Sequence, residues 1–163
     1  MLSNYDAKAV AEALGLVFAL APKPSSGRLS RGKSRRESPP SPAAIEKAVE
    51  VGLPRQALRH VAELIAGGDK AKASALERGV VPKTTLERRE TKLTPRESER
   101  TERIARLFVH ARRALGTEAE AREFMTAPHP ELDGRSPIDA ARTDLGTRRA
   151  EQILNALEYG LAL

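Results

Sequence analysis

The sequence predicts an all-α protein, and three observations lead there. Aromatic residues make up only 3% of the chain, with no Trp, while Ala, Leu, Arg and Glu dominate, a balance that favours helices over sheets. Apolar residues recur at three- and four-residue intervals in several segments. Those segments are bracketed by Ser, Thr or Asp in front and Gly or Pro behind, the residue types that start and stop helices. A hydrophobic share of 40% lets short helices close a core of Ala, Leu, Ile and Val, thin enough that oligomerisation could complete it. The length of 163 residues suits two small domains and a tail.

The first helix is predicted over residues 5 to 20, where Ala9, Val10, Ala13, Leu14, Val17 and Leu20 share a face that needs a partner surface. The following APKPSSGRLSRGKSRRESPPSP has too few apolar residues to offset its ordering entropy and reads as a flexible linker when free. Ser41-Pro42 is an N-cap followed by Pro at the first helical position, so a helix runs to about Val51 with Ile45, Ala48 and Val49 on one face. Gly52 ends it. Pro54 opens a helix striped by Leu58, Val61, Leu64 and Ile65, which stops at Gly67-Gly68. Asp69 caps a third short helix through Leu76, Gly79 supplies a turn, and Pro82 starts a fourth helix to about Arg89. That order is the outline of a helix-turn-helix.

Thr94-Pro95-Arg96-Glu97 is a capping box, in which the Thr hydroxyl accepts from the amide three residues on and the Glu carboxylate returns to the Thr amide. It opens a helix of about twenty residues, lined by Ile104, Leu107, Phe108, Ala111 and Leu115 and closed by Gly116. Thr117 to Glu120 forms a second box, whose helix carries Ala121, Phe124 and Met125 up to Pro128. Ser136-Pro137-Ile138-Asp139 repeats the box with Asp in place of Glu. The last helix holds Ala150, Ile153, Leu154 and Leu157 and ends at Gly160. No internal repeat of useful length is present.

Charge and motif content narrow the function. The formal net charge is +6, of which +5 lies between Pro22 and Pro42: Lys23, Arg28, Arg31, Lys33, Arg35 and Arg36 against Glu37. The rest of the chain is nearly balanced, so the basic excess belongs to one segment. The absence of Cys excludes disulfides and thiolate zinc sites. The longest apolar stretch, Ala13 to Ala21, has nine residues against the roughly 20 needed to cross a bilayer, and the first six residues lack the positive start of a signal peptide. An unprocessed, cytoplasmic chain is expected. His60, His110 and His129 lie far apart, and there is no HExxH, GxSxG, Walker A or GxGxxG motif. With no catalytic residue, cofactor site or metal site to name, the expectation is a binding protein rather than an enzyme.

The stretch from Thr94 to Leu163 resembles the toxin-binding domain of the Xre/MbcA/ParS antitoxin family. LTPRESERTERIARL (Leu93 to Leu107) is similar to that family's long capped helix with its Arg-Ile/Leu-Ala-Arg run. FMTAPHPELDGRSPIDAA (Phe124 to Ala141) is similar to its helix, Pro-containing loop, Leu-x-Gly and Pro-Ile/Leu segment. The final ILNALEYGLAL is similar to its closing helix with an aromatic or His, then Gly, then small or apolar residues. Residues 43 to 93 resemble the family's Xre-like helical domain more loosely, through GVVPKTTLERRETKL; residues 1 to 42 match nothing nameable. The resemblance implies three parts: an N-terminal helix and basic linker over 1–42, an Xre-like helix-turn-helix domain over 43–93, and a toxin-binding domain over 94–163.

It also implies a mechanism. The family's partners are RES-type toxins, which act on NAD by degrading it or by modifying a target with its ADP-ribose. The closing helix would dock beside the NAD pocket and occlude it with Glu158, Tyr159, Gly160, Leu161, Ala162 and Leu163. Tyr159 is the rigid anchor, Gly160 the turn, and Leu161 to Leu163 with the terminal carboxylate the plug. The alternative is that Tyr159 and Leu161 merely cover the domain's own core. Lys83, Thr84, Thr85, Arg88 and Arg89 on one short helix would reach phosphates and base edges of operator DNA, so that the chain represses its own operon; against this stands a solvated basic face diluted by Glu77, Glu87 and Glu90. A homodimer, or a higher hetero-oligomer with the toxin, is expected. Two rivals remain: a helix-turn-helix transcriptional regulator with a basic DNA-binding arm and no toxin partner, and an adaptor that binds an acidic protein surface through residues 1 to 42.

Overall fold

A computed structural model of the chain describes residues 5–16, 40–88 and 92–160. Among these, the regular structure is helical, with only the isolated bridges Pro54–Lys92 and His129–Arg135 besides. The all-α prediction holds, and most of the expected helix starts and stops are where the caps put them.

Helix α1 (Ala7–Ala13) begins where the Asp6 carboxylate accepts from the Ala9 amide and stops before the Leu14–Gly15 turn, where Gly15 has φ +66°, so the helix expected over residues 5 to 20 is interrupted there. Residues 17 to 20 of the expected first helix, and the expected linker up to Pro39, lie outside the described residues. Ser41 caps α2 (Pro42–Val51), which buries Ile45 and Val49. At Gly52, φ is +99° and a Cβ would run into the Leu93 carbonyl oxygen, so glycine is required both by conformation and by space. Helix α3 (Arg55–Ala66) buries Leu58, Val61 and Ile65 and stops at Gly67 in the left-handed region. The Asp69 carboxylate then accepts from the Ala71 and Lys72 amides to start α4 (Lys70–Val80).

The turn of the helix-turn-helix differs from expectation. α4 does not break near Leu76 but runs through Gly79 to Val80, and Gly79 has no positive φ. Pro82 makes the turn instead: a residue before proline is disfavoured in the helical region, and Val81 is extended (φ −129°, ψ 123°) and buried. A short α5 (Lys83–Arg88) follows.

Helix α6 (Pro95–Leu115) is the spine. Its capping box is complete, with the Thr94 hydroxyl accepting from the Glu97 amide (3.2 Å) and the Thr94 amide donating to the Glu97 carboxylate (2.8 Å). α1, α2, α3, α7 (Glu118–Thr126) and α9 (Asp144–Tyr159) all pack on it. In the second predicted box, the Thr117 hydroxyl accepts from the Glu120 amide as expected but donates to the Glu120 carboxylate (2.6 Å), so that box closes side chain to side chain. A 3-10 turn (Pro130–Leu132) and the four-residue α8 (Pro137–Ala140), capped by Ser136, lead into α9, whose N-cap is Thr143.

One apolar cluster extends from Val10 and Leu14 of the first segment through Leu53, Leu58, Phe108 and Met125 to Ile153 and Leu154. Each fully buried side chain of this size contributes about 1.5–3 kcal/mol relative to exposure. α3 and α4 approach through the small residues Ala62, Ala66 and Ala73. The α2–α3 turn is fastened to the start of α6 by Leu53, whose amide donates to Ser98 Oγ (2.8 Å) and whose carbonyl accepts from the Leu93 amide (2.9 Å). None of the described helices is long and apolar enough to cross a membrane.

Candidate functional site: the end of α9 and the outer side of α5

The last turn of α9 is held by one carboxylate. Arg113 on α6 donates from Nε to Glu158 Oε1 (2.9 Å) and from Nη2 to Oε2 (3.0 Å), while His110 Nε2 lies 3.2 Å from Oε2. The bidentate Arg113 fork, with His110 beside it, keeps the Glu158 carboxyl below the usual carboxylate range. Burial, and then the Arg113 charge, push His110 below the ordinary imidazole value, so the ring is neutral at neutral pH and gives Nε2–H to Glu158 in the tautomer this geometry requires.

Seven residues earlier on both helices, Arg106 pairs with Glu151. Arg106–Glu151 and Arg113–Glu158 are thus two rungs, two turns apart, and α6 and α9 run in the same direction. The upper rung continues to α1: Arg106 also pairs with Glu102 (3.2 Å), and Tyr5 donates its hydroxyl proton to Glu102 Oε1 (3.0 Å). Burial and the Glu102 charge raise the Tyr5 pKa, and burial raises that of Glu151 despite Arg106.

The candidate residues at this end divide. Glu158 is half-buried and committed to α6, so it positions the turn. Tyr159 is 61% exposed and therefore does not cover the core. Gly160 caps the helix with φ +62° and open space around its Cα. Leu161, Ala162 and Leu163 lie outside the described residues. Neither Arg113 nor His110 was singled out by sequence reasoning as part of this end. They lie 45 and 48 residues from Glu158, and no local spacing links them.

On α5, Lys83 and Thr84 are exposed and Thr85 is half-buried, whereas Leu86 is buried and anchors the helix. Arg55 of α3 reaches the Leu86 carbonyl (2.9 Å). Lys83 pairs with Glu87 (3.7 Å), both largely exposed, a weak pair that leaves the ammonium available to a phosphate. The Arg88 side chain and Arg89 lie outside the described residues. From α6, Arg100 donates to the Gly79 carbonyl (2.8 Å), tying the spine to the end of α4.

His129 lies against Phe124, with ring centroids 4.6 Å apart and Nε2 3.1 Å from the Phe124 carbonyl. Among the described residues, no three His, Asp or Glu side chains are grouped to hold a metal ion.

Two family models match the chain. Residues 44–106 match the antitoxin Xre-like helix-turn-helix domain, and residues 110–160 match the antitoxin Xre/MbcA/ParS C-terminal toxin-binding domain. The first match takes in α2 to the middle of α6, and the second the rest of α6 through α9; α1 lies in neither. A search of curated proteins gives no match.

Proposed function

Because this chain belongs to the Xre/MbcA/ParS family of antitoxins, with a helix-turn-helix followed by a toxin-binding domain, we propose that it neutralises a RES-type toxin by occluding its NAD pocket with the segment from Glu158 to Leu163. The observation that carries this reading is Tyr159. It is a large aromatic side chain, 61% exposed, on the final turn of the matched toxin-binding domain, and the neighbouring Glu158 is pinned by Arg113 and His110. An anchor pre-positioned on a fixed turn loses little conformational freedom on binding. Gly160 then lets the backbone leave the helix axis, so that Leu161, Ala162 and Leu163 can enter a cleft that the helix itself is too wide to enter.

The test is rescue of growth by co-expression with a RES-type toxin from the same genome. Ending the chain after Glu158 keeps the Arg113 clamp and removes the anchor and plug. That variant is expected to fold normally and to lose rescue; full protection by it would refute the tail mechanism.

The same proposal assigns operator DNA to α5, with Lys83, Thr84 and Thr85 described on it and Arg88 and Arg89 at its end, and it makes the chain a repressor of its own operon. The exposed Lys83 and Thr84, at the N-terminal end of α5 and within the residues matched to the helix-turn-helix domain, support it. Replacing Arg88 and Arg89 together by Ala is expected to weaken operator binding and flatten its salt dependence, measured by titration at several ionic strengths. Unchanged affinity and slope would remove α5 from the interface.

A further inference from the structure

Between α2, the first half of α6 and the start of α9 lies a groove of about 590 Å³. Tyr5 and, from α2, Ile45 and Val49 supply its apolar lining. Around them stand five carboxylates against two guanidiniums, Arg103 and Arg106. Three of the carboxylates are already paired: Glu99 with Arg103 (3.3 Å), Glu102 with Arg106 (3.2 Å) and Asp144 with Arg148 (2.9 Å). The other two, Glu46 and Glu50 on α2, are exposed and have no ion-pair or hydrogen-bond partner among the described residues.

Their spacing departs from the rest of the chain. α3, α5, α6, α7 and α9 each join opposite charges four residues apart in an ion pair. α2 instead sets two like charges at that spacing, which disfavours a helix until a cation joins them. Lys47, the cation of α2 itself, does not line the groove. An apolar lining beside unpaired carboxylates fits Lys and Arg side chains better than simple ions, because their stems bury along apolar surface while the charged heads stay at the rim.

A source of such side chains is joined to the groove. Between Pro22 and Pro42 the chain carries six cations and one acid, and Pro42 itself lines the groove. Arg36 stands six residues before Pro42, so even a fully extended chain keeps it within about 21 Å. The elements on either side of the segment, α1 and α2, both pack on α6. Exposed ion pairs are weak one at a time. Covalent attachment makes each of these intramolecular, so that several act together.

We propose that this groove is the seat of the chain's own basic segment, Arg28 to Arg36, with its cations on Glu46 and Glu50 and their stems along Ile45 and Val49. A polyanion that draws on the segment must then displace it from the two glutamates.

The chain has no cysteine, so Ser30→Cys provides a single site for a nitroxide label, read by the broadening of amide signals in the full chain. At low salt the label is expected to broaden signals of α2 and of α6 near Glu99 selectively. In 1 M salt, where the Debye length is about 3 Å, that broadening should be lost. Glu46→Gln combined with Glu50→Gln should abolish it, and Arg35→Gln combined with Arg36→Gln should weaken it from the other side of the contact. Glu123→Gln, at an exposed acid on α7 outside the groove, should leave it unchanged. Broadening spread evenly over the surface, or unchanged in either double variant, overturns the proposal. So does broadening that passes to an isotope-labelled chain lacking the nitroxide when the two are mixed, which gives the groove to a second copy.

Discussion

His110 and Glu158 make the end of α9 sensitive to acid, and both act in the same direction. His110 has a folded pKa below its ordinary 6.5, so the unfolded chain takes up a proton first as pH falls. The contribution is complete above 6.5 and is lost as pH drops from there through the folded value. Glu158 has a folded pKa below its ordinary 4.5, so its share is present above 4.5 and is lost at lower pH still. The thermal midpoint is therefore expected to fall in two stages on acidification, and His110→Gln should remove the earlier stage. A variant whose midpoint follows the original pH profile would show that the imidazole is not the group titrating. Ser98 gives a second prediction at this scale. It is fully buried, and its hydroxyl accepts from the Leu53 amide, so Ser98→Ala leaves that amide unpaired and should cost about 1–3 kcal/mol in urea denaturation.

At the scale of elements, α1 shows what local pattern conveys and what it leaves out. Its apolar spacing was readable as a helix in need of a surface, but the surface is assembled from α2, α3 and α6, dozens of residues away. Val10 and Leu14 are each 1% exposed in that seat. Leu14→Ala is expected to cost about 2–5 kcal/mol, read as a fall in denaturation midpoint; a loss below about 1 kcal/mol would mean that the seat is loose. Helix starts at Ser41, Asp69 and Thr94 were legible because a cap acts over three residues. The start of α9 was not, because the position three residues after its cap is Gly146 rather than Glu or Gln. Glycine stands there because a Cβ would collide with the Ala140 carbonyl oxygen of α8. Gly79 misled in the opposite way: a glycine tolerates a helix, and only Pro82 forced the turn. At the candidate site, the exposure of Tyr159 depends on which face of α9 meets α6, and no spacing within α9 alone fixes that.

For the whole molecule, the DNA-reading and toxin-binding parts are not separate bodies joined by a hinge. α6 begins in one matched region and ends in the other, and a single apolar cluster runs through both. One cooperative unfolding transition is expected, with helix content by circular dichroism and tyrosine fluorescence falling together in denaturant; two separated midpoints would show that the halves unfold independently. Tyr5 packs against the cluster beside α1, whereas Tyr159 is exposed at the far end of α9, so the fluorescence change is expected to come mainly from Tyr5. α1 also sets a practical boundary. A fragment trimmed to residues 44–160 would satisfy both family descriptions and still carry an empty apolar socket where Val10 and Leu14 had been, with Glu102 stripped of the Tyr5 hydroxyl. Recombinant work on either half should therefore carry residues 5–16 along as part of the fold.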